Sequence, residues 1–116
     1  MSPELKSRSN GPRRNTDPLV ERVVRRIARS VKPERVILFG SRASGQPRQD
    51  SDIDLVVVYS GSKTKREIQV GIHKLFPNPD FSMDVFVLTP EELESQKSIP
   101  NTLAREVSER GVVCYG

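Results

Sequence analysis

The chain has no tryptophan, one cysteine and one histidine, and only 5% of its 116 residues are aromatic. Each shortage excludes something. A lone Cys114 cannot form an internal disulfide, which fits a reducing cytoplasm. In "VVCY" nothing nearby would lower its pKa, so it reads as a small core residue rather than a nucleophile. His73 has no second His or Cys at ligand spacing, so no zinc-type site is spelled out. No stretch approaches the ~18 apolar residues of a membrane span, and the N-terminus lacks the apolar centre of a signal peptide. The expectation is a cytoplasmic protein without a membrane partner.

What is present is charge: 29% of residues are charged, only 34% are hydrophobic, and the formal net charge is +4. A basic balance favours anionic partners such as phosphates and nucleotides, although a solvated basic surface has the same composition. The length suits one domain with one core. A chain this lean is expected to bury one sheet face under a few helices. Residues 1–15, "MSPELKSRSNGPRRN", read as a disordered basic tail. Such a tail needs no nucleic-acid role, so direct nucleic-acid binding is not expected. Residues 16–116 form the domain.

Within that domain, Thr16 or Asp17 can cap a helix with Pro18 in its first turn. Leu19, Val20, Val23, Val24, Ile27 and Val31 line one face of it, and Pro33 ends it. "RVILFG" is a strand stopped by Gly40, and "SRASGQPRQDS" is a loop. "DIDLVVVY" is a second strand, 63–77 a helix with Ile68 and Ile72 on one face, and "FSMDVFVLT" a third strand. Thr89, Pro90 and Glu92 spell a capping box. Leu103, Ala104 and Val107 mark a last helix ending at Gly111, before the short edge strand "VVCY". The order α-β-β-α-β-α-α-β implies an α/β (α+β) fold with a small mixed β-sheet and helices packed on one face. The short link between the first two strands makes that pair antiparallel.

The stretch "FGSRASGQPRQDSDIDLVVVY" carries the chemistry. On a strand, alternate residues share a face, so Asp52 and Asp54 point the same way, about 7 Å apart at Cα. Like charges that close repel unless a cation neutralises them. Hard oxygen donors select Mg²⁺, which takes one or two carboxylates together with substrate phosphates. Two such ions would clamp the attacking and leaving oxygens of a phosphoryl-type displacement. Alone, "DSD" is equally a solvated strand start. Asp84, inside the apolar run "SMDVFVL", is costly there unless paired or metal-bound, or else points to solvent from a half-exposed sheet. If the second and third strands are neighbours, it joins the other two carboxylates. Gly40 and Ser41 add a close backbone approach and a hydroxyl suited to phosphate oxygens.

Gly-Ser, ten residues, then Asp-x-Asp resembles the signature of the DNA polymerase β-like nucleotidyltransferase superfamily, and specifically its minimal nucleotidyltransferase branch. The resemblance runs from about residue 17 to the C-terminus. It implies that Gly40 and Ser41 hold nucleotide phosphates, with Arg42 and Arg48 over the same anion where the family often has a basic residue at the position of Ser44. It implies that Asp52 and Asp54 bind two Mg²⁺ ions and that Asp84 is the third metal carboxylate, activating the acceptor hydroxyl. It further implies ATP as substrate and a HEPN-class RNase toxin as partner, whose tyrosine receives AMP from this antitoxin in a heteromeric complex. A non-catalytic antitoxin acting by contact and an aminoglycoside-type transferase are the competing readings; the lack of an acceptor domain argues against the latter. The partner surface is expected on the leading helix or the C-terminal helices.

Overall fold

A computed structural model describes residues 17–43, 52–77 and 79–116. The expected N-terminal tail, and the loop positions Ser44, Gly45, Pro47, Arg48 and Asp50, lie outside the described residues. Helix α1 (Pro18–Val31) leads into strand β1 (Arg35–Phe39) and a 3-10 turn, Ser41–Ala43. Then come β2 (Ile53–Val58), α2 (Lys65–Lys74), β3 (Met83–Leu88), α3 (Pro90–Gln96), α4 (Leu103–Arg110) and β4 (Val112–Tyr115). This is the expected order of elements.

Local signals set the boundaries. Asp17 caps α1 by accepting from the Leu19 N–H at 2.9 Å, with Pro18 at the position where a missing N–H costs nothing. Lys32, in the left-handed region at φ 56°, closes that helix. Thr64 with Glu67, and Thr89 with Glu92, form full capping boxes at α2 and α3. A Lys65–Glu92 ion pair of 2.7 Å ties those two helix starts together. The Lys65 hydrogen bond, followed by that of the Thr89 backbone, holds the Glu92 carboxyl below its ordinary range.

The four strands form one mixed sheet in the order β3-β2-β1-β4. β1 is antiparallel to both β2 and β4, whereas β2 and β3 are parallel, with α2 as the crossover between them. The expectation of helices on one face needs correction. Val20, Val23, Val24 and Ile27 of α1, with Ile68 and Ile72 of α2, pack on Val36, Leu38, Leu55, Val57, Val85 and Val87. On the opposite face Leu93 of α3 and Ala104 and Val107 of α4 cover Ile37, Val56 and Val58. The reason lies in "RVILF" and "IDLVVV", which are apolar at successive positions rather than alternate ones. Central strands of that kind have two faces to bury.

Most of the α1 stripe is consumed by the sheet: Val20 and Ile27 are 0% exposed, whereas Leu19 and Val31 at its ends are half-buried. On α3 and α4, Leu93, Ala104 and Val107 are likewise buried, and Leu103 is half-buried. Large exposed hydrophobic residues among the described ones are Val70, Phe86, Ile99 and Val113. Among the same residues no helix is long and apolar enough to cross a membrane.

Truncating Ile27 to Ala should open a cavity beneath α1 and cost about 2–5 kcal/mol. Val113→Ala, at a site 38% exposed, should stay within about 0.5 kcal/mol. Urea unfolding of the two variants checks the contrast, and comparable losses would mean that the α1 face is not the main core.

Candidate active site

The sheet register makes the site. Phe39 of β1 stands opposite Asp54 of β2, and Asp54 stands opposite Asp84 of β3, in one row across three strands. Both carboxylates share the face that carries Ile37, Val56 and Val58, the face covered by α3 and α4. Those helices cover it beside the other end of β2 and β3, so the aspartate row is left open: Asp84 is exposed and Asp54 half-buried. Between the row and the α3–α4 core lies an aromatic pair, Phe39 and Phe86, with ring centroids 5.9 Å apart.

Asp54 and Asp84 stand opposite each other in the parallel ladder, close enough for the charge of one to bear on the other. The Asp54 carboxyl is pushed above its ordinary value, chiefly by burial, then by the negative charges of Asp84 and Asp52. Asp52, exposed and one residue ahead of β2, is thus within electrostatic reach of the pair. Among the described residues no three acidic, His or Cys side chains close into a ready-made metal cage. Two carboxylates facing each other with a third nearby still suit Mg²⁺, which prefers few protein ligands and completes its shell with water and phosphate. The crowding of Asp54 by the charges of Asp84 and Asp52 marks where a cation would relieve the repulsion. Asp84 itself is reached by solvent on an edge strand, so the burial cost expected for it from the sequence does not arise; the crowded carboxylate is Asp54.

Gly40 lies directly against this pair. Its φ of 77° is the left-handed conformation that favours glycine, and a Cβ at that position would overlap the Asp54 carboxylate. The chain then enters the 3-10 turn at Ser41, closed by the Ala43 N–H on the Gly40 carbonyl at 3.1 Å. Arg42, expected on the phosphates, has a side chain only 6% exposed, and its Nη1 lies 2.5 Å from Asp17 Oδ2. The sequence shows Asp17 only as a helix cap; its second function as the partner of Arg42, 25 residues away, carried no local signal. The structure therefore brings together Gly40, Asp54 and Asp84, sets Asp52 beside them, and draws Arg42 towards the start of α1.

The raised Asp54 pKa has a consequence for stability. A carboxyl harder to ionise in the folded state contributes stability fully below its ordinary value of 3.8 and loses that contribution as pH rises through the higher folded value. In EDTA, Asp54→Asn should therefore melt above wild type at pH 7.5, and the gap should close near pH 3.5. Melting curves at the two pH values check the sign; a gap that widened on acidification would reverse the assignment.

The chain matches the nucleotidyltransferase domain family over residues 20–113. Among solved structures, it is similar to a putative nucleotidyltransferase from Sulfolobus solfataricus, at 24% identity and a TM-score of 0.55, covering 82% of this chain and 75% of that one. It is similar also to a toxin–antitoxin structure with AMP-PNP, at 23% identity and a TM-score of 0.54, covering 82% and 72% respectively. These likenesses are to the fold. No curated protein matches the chain. The matched segment runs from the first turn of α1 into β4 and includes the whole aspartate row, and the chain belongs to the nucleotidyltransferase domain family.

Proposed function

We propose that this chain transfers AMP from Mg-ATP to a hydroxyl on a partner protein, the acceptor being a tyrosine of a HEPN-type RNase toxin, and so acts as its antitoxin. The observation that carries this reading is the Asp54–Asp84 pair set across parallel strands with Gly40 against it. The similar toxin–antitoxin structure with AMP-PNP supports a protein partner and an adenine nucleotide.

In this reading Gly40 and Ser41 hold the nucleotide phosphates, and Arg42, tied to Asp17, steadies the turn beneath them. Asp52, Asp54 and Asp84 would hold Mg²⁺, which when bound offsets the charge of the triphosphate and lowers the pKa of an oxygen beside it. The acceptor oxygen attacks the α-phosphorus, the bond from that phosphorus to the bridging oxygen of the β-phosphate breaks, and pyrophosphate leaves. Asp84, the solvent-reached member of the pair, takes the hydroxyl proton and passes it to water. A phenol, with a pKa near 10, is a poor nucleophile at neutral pH until that proton moves.

Two measurements test this. ATP and Mg²⁺ together should raise the melting temperature more than either alone, by roughly 2.7 kcal/mol of stability at about 100 times Kd. With labelled ATP and a co-expressed HEPN partner, Asp84→Asn should bind Mg-ATP within a few-fold of wild type, yet lose transfer by roughly 10²-fold or more. Asp52→Asn and Asp54→Asn should lose both. Near-wild-type transfer by Asp84→Asn would remove it from the chemistry. Full neutralisation of the partner by all three variants would point to contact rather than transfer.

A further inference from the structure

The edge strand β3 borders a groove of about 520 Å³ between itself and α2. Its apolar floor is made by Val70 and Phe86, 42% and 41% exposed. Arg66, His73 and Lys74 of α2 stand along one side. Among the described residues the only acid lining it is Asp84, which thereby belongs to both the groove and the carboxylate row. Neither Arg66 nor Lys74 is engaged in an ion pair among the described residues.

Among the described residues no strand pairs with the outer edge of β3. The Ile53 N–H donates to the Ser82 carbonyl and the Tyr59 N–H to the Leu88 carbonyl, so the even-numbered residues of β3 face β2. By the strand's period of two, the N–H and C=O groups of Val85 and Val87 point outwards. The Gln69 side-chain amide, from α2, donates to the Val85 carbonyl at 2.8 Å. A side chain thus serves the edge as a neighbouring strand would. Unprotected edges accept added strands, with main-chain bonds giving affinity and side-chain pockets giving choice.

We infer that this groove seats the acceptor as an extended, acidic peptide segment, paired to the β3 edge, with its hydroxyl side chain at Asp84. The inference rests on the nucleotidyl-transfer reading and adds to it the chemistry of the segment recognised. Charge selects the occupant: Arg66 and Lys74, with no ion-pair partner among the described residues, and His73 next to Lys74 complement carboxylates on the incoming chain. The eight-residue separation from Arg66 to Lys74 corresponds to about 12 Å of helix, which an extended chain crosses in about four residues. The recognised acid therefore lies within about four positions of the acceptor. Proline is excluded where the segment must donate to the edge.

A displayed peptide library tests this, with one fixed tyrosine and eight randomised flanking positions, selected on the full chain. The expected result is enrichment of Asp and Glu within four positions of the tyrosine. Backbone amide exchange at Val85 and Val87 should slow at least ~10-fold when a selected peptide is added. The Arg66→Glu/Lys74→Glu variant, checked for native secondary structure by circular dichroism, should invert the preference towards Lys and Arg. No enrichment, or an unchanged acidic preference in the reversed variant, would overturn the inference. So would sedimentation showing that two copies pair through β3, or tighter binding of a single-stranded oligonucleotide lost in the same variant. Acidic selection by a chain that shows no melting shift with any Mg-NTP would sink the nucleotidyl-transfer reading and leave the groove standing. Transfer to a protein without acidic selection would sink the groove alone.

Discussion

Two carboxylates facing each other across neighbouring strands repel, and the parallel register of β2 and β3 nevertheless holds Asp54 and Asp84 in that position. What enforces it is the other face of the same strands. Ile53, Leu55, Val57, Val85 and Val87 are committed to the core beneath α1 and α2. A slip of one residue in β2 would send Asp54 into that core and lift Ile53, Leu55 and Val57 out of it. Burying an unpaired carboxylate costs several kcal/mol, so the hydrophobic face fixes the electrostatics of the open one. Repulsion at the aspartate row is a local cost carried by a well-packed sheet, and a bound cation would relieve it.

Much of this is legible in the amino-acid sequence. The order of elements followed from local signals: Asp17 with Pro18, Gly40, the Thr89–Glu92 box, and Gly111 after the last helix. The Gly-Ser turn and the Asp-x-Asp pair were legible because a strand's period of two places its residues without knowledge of the rest of the fold. Asp84 stood out as an acid in an apolar run, although for an incomplete reason: its strand is at an edge and its side chain meets solvent. The Thr64–Glu67 box is as plainly written as the one at Thr89, although the helix over 63–77 is read from Ile68 and Ile72 alone.

Less legible were features that depend on distant segments. The second covered face was implied by the unbroken apolar runs of β1 and β2, yet which helices would cover it was not. The exposure of Val70 beside Phe86 depends on α2 lying along β3, which periodicity within either segment does not state. The partner of Arg42 is 25 residues upstream, beyond any local rule.

That last pairing has a mechanical meaning. One oxygen of Asp17 receives the first turn of α1 and the other receives Arg42, which follows directly on the Gly40–Ser41 turn. A single carboxylate is thus a rivet through two pieces of the molecule, the leading end of a helix and the lip of the open site. Pulling on the chain ahead of Pro18 would load that rivet before it loaded the core. Force or a bound partner acting on the N-terminal side would therefore be transmitted to the turn, while the buried faces of α1 kept their grip on the sheet.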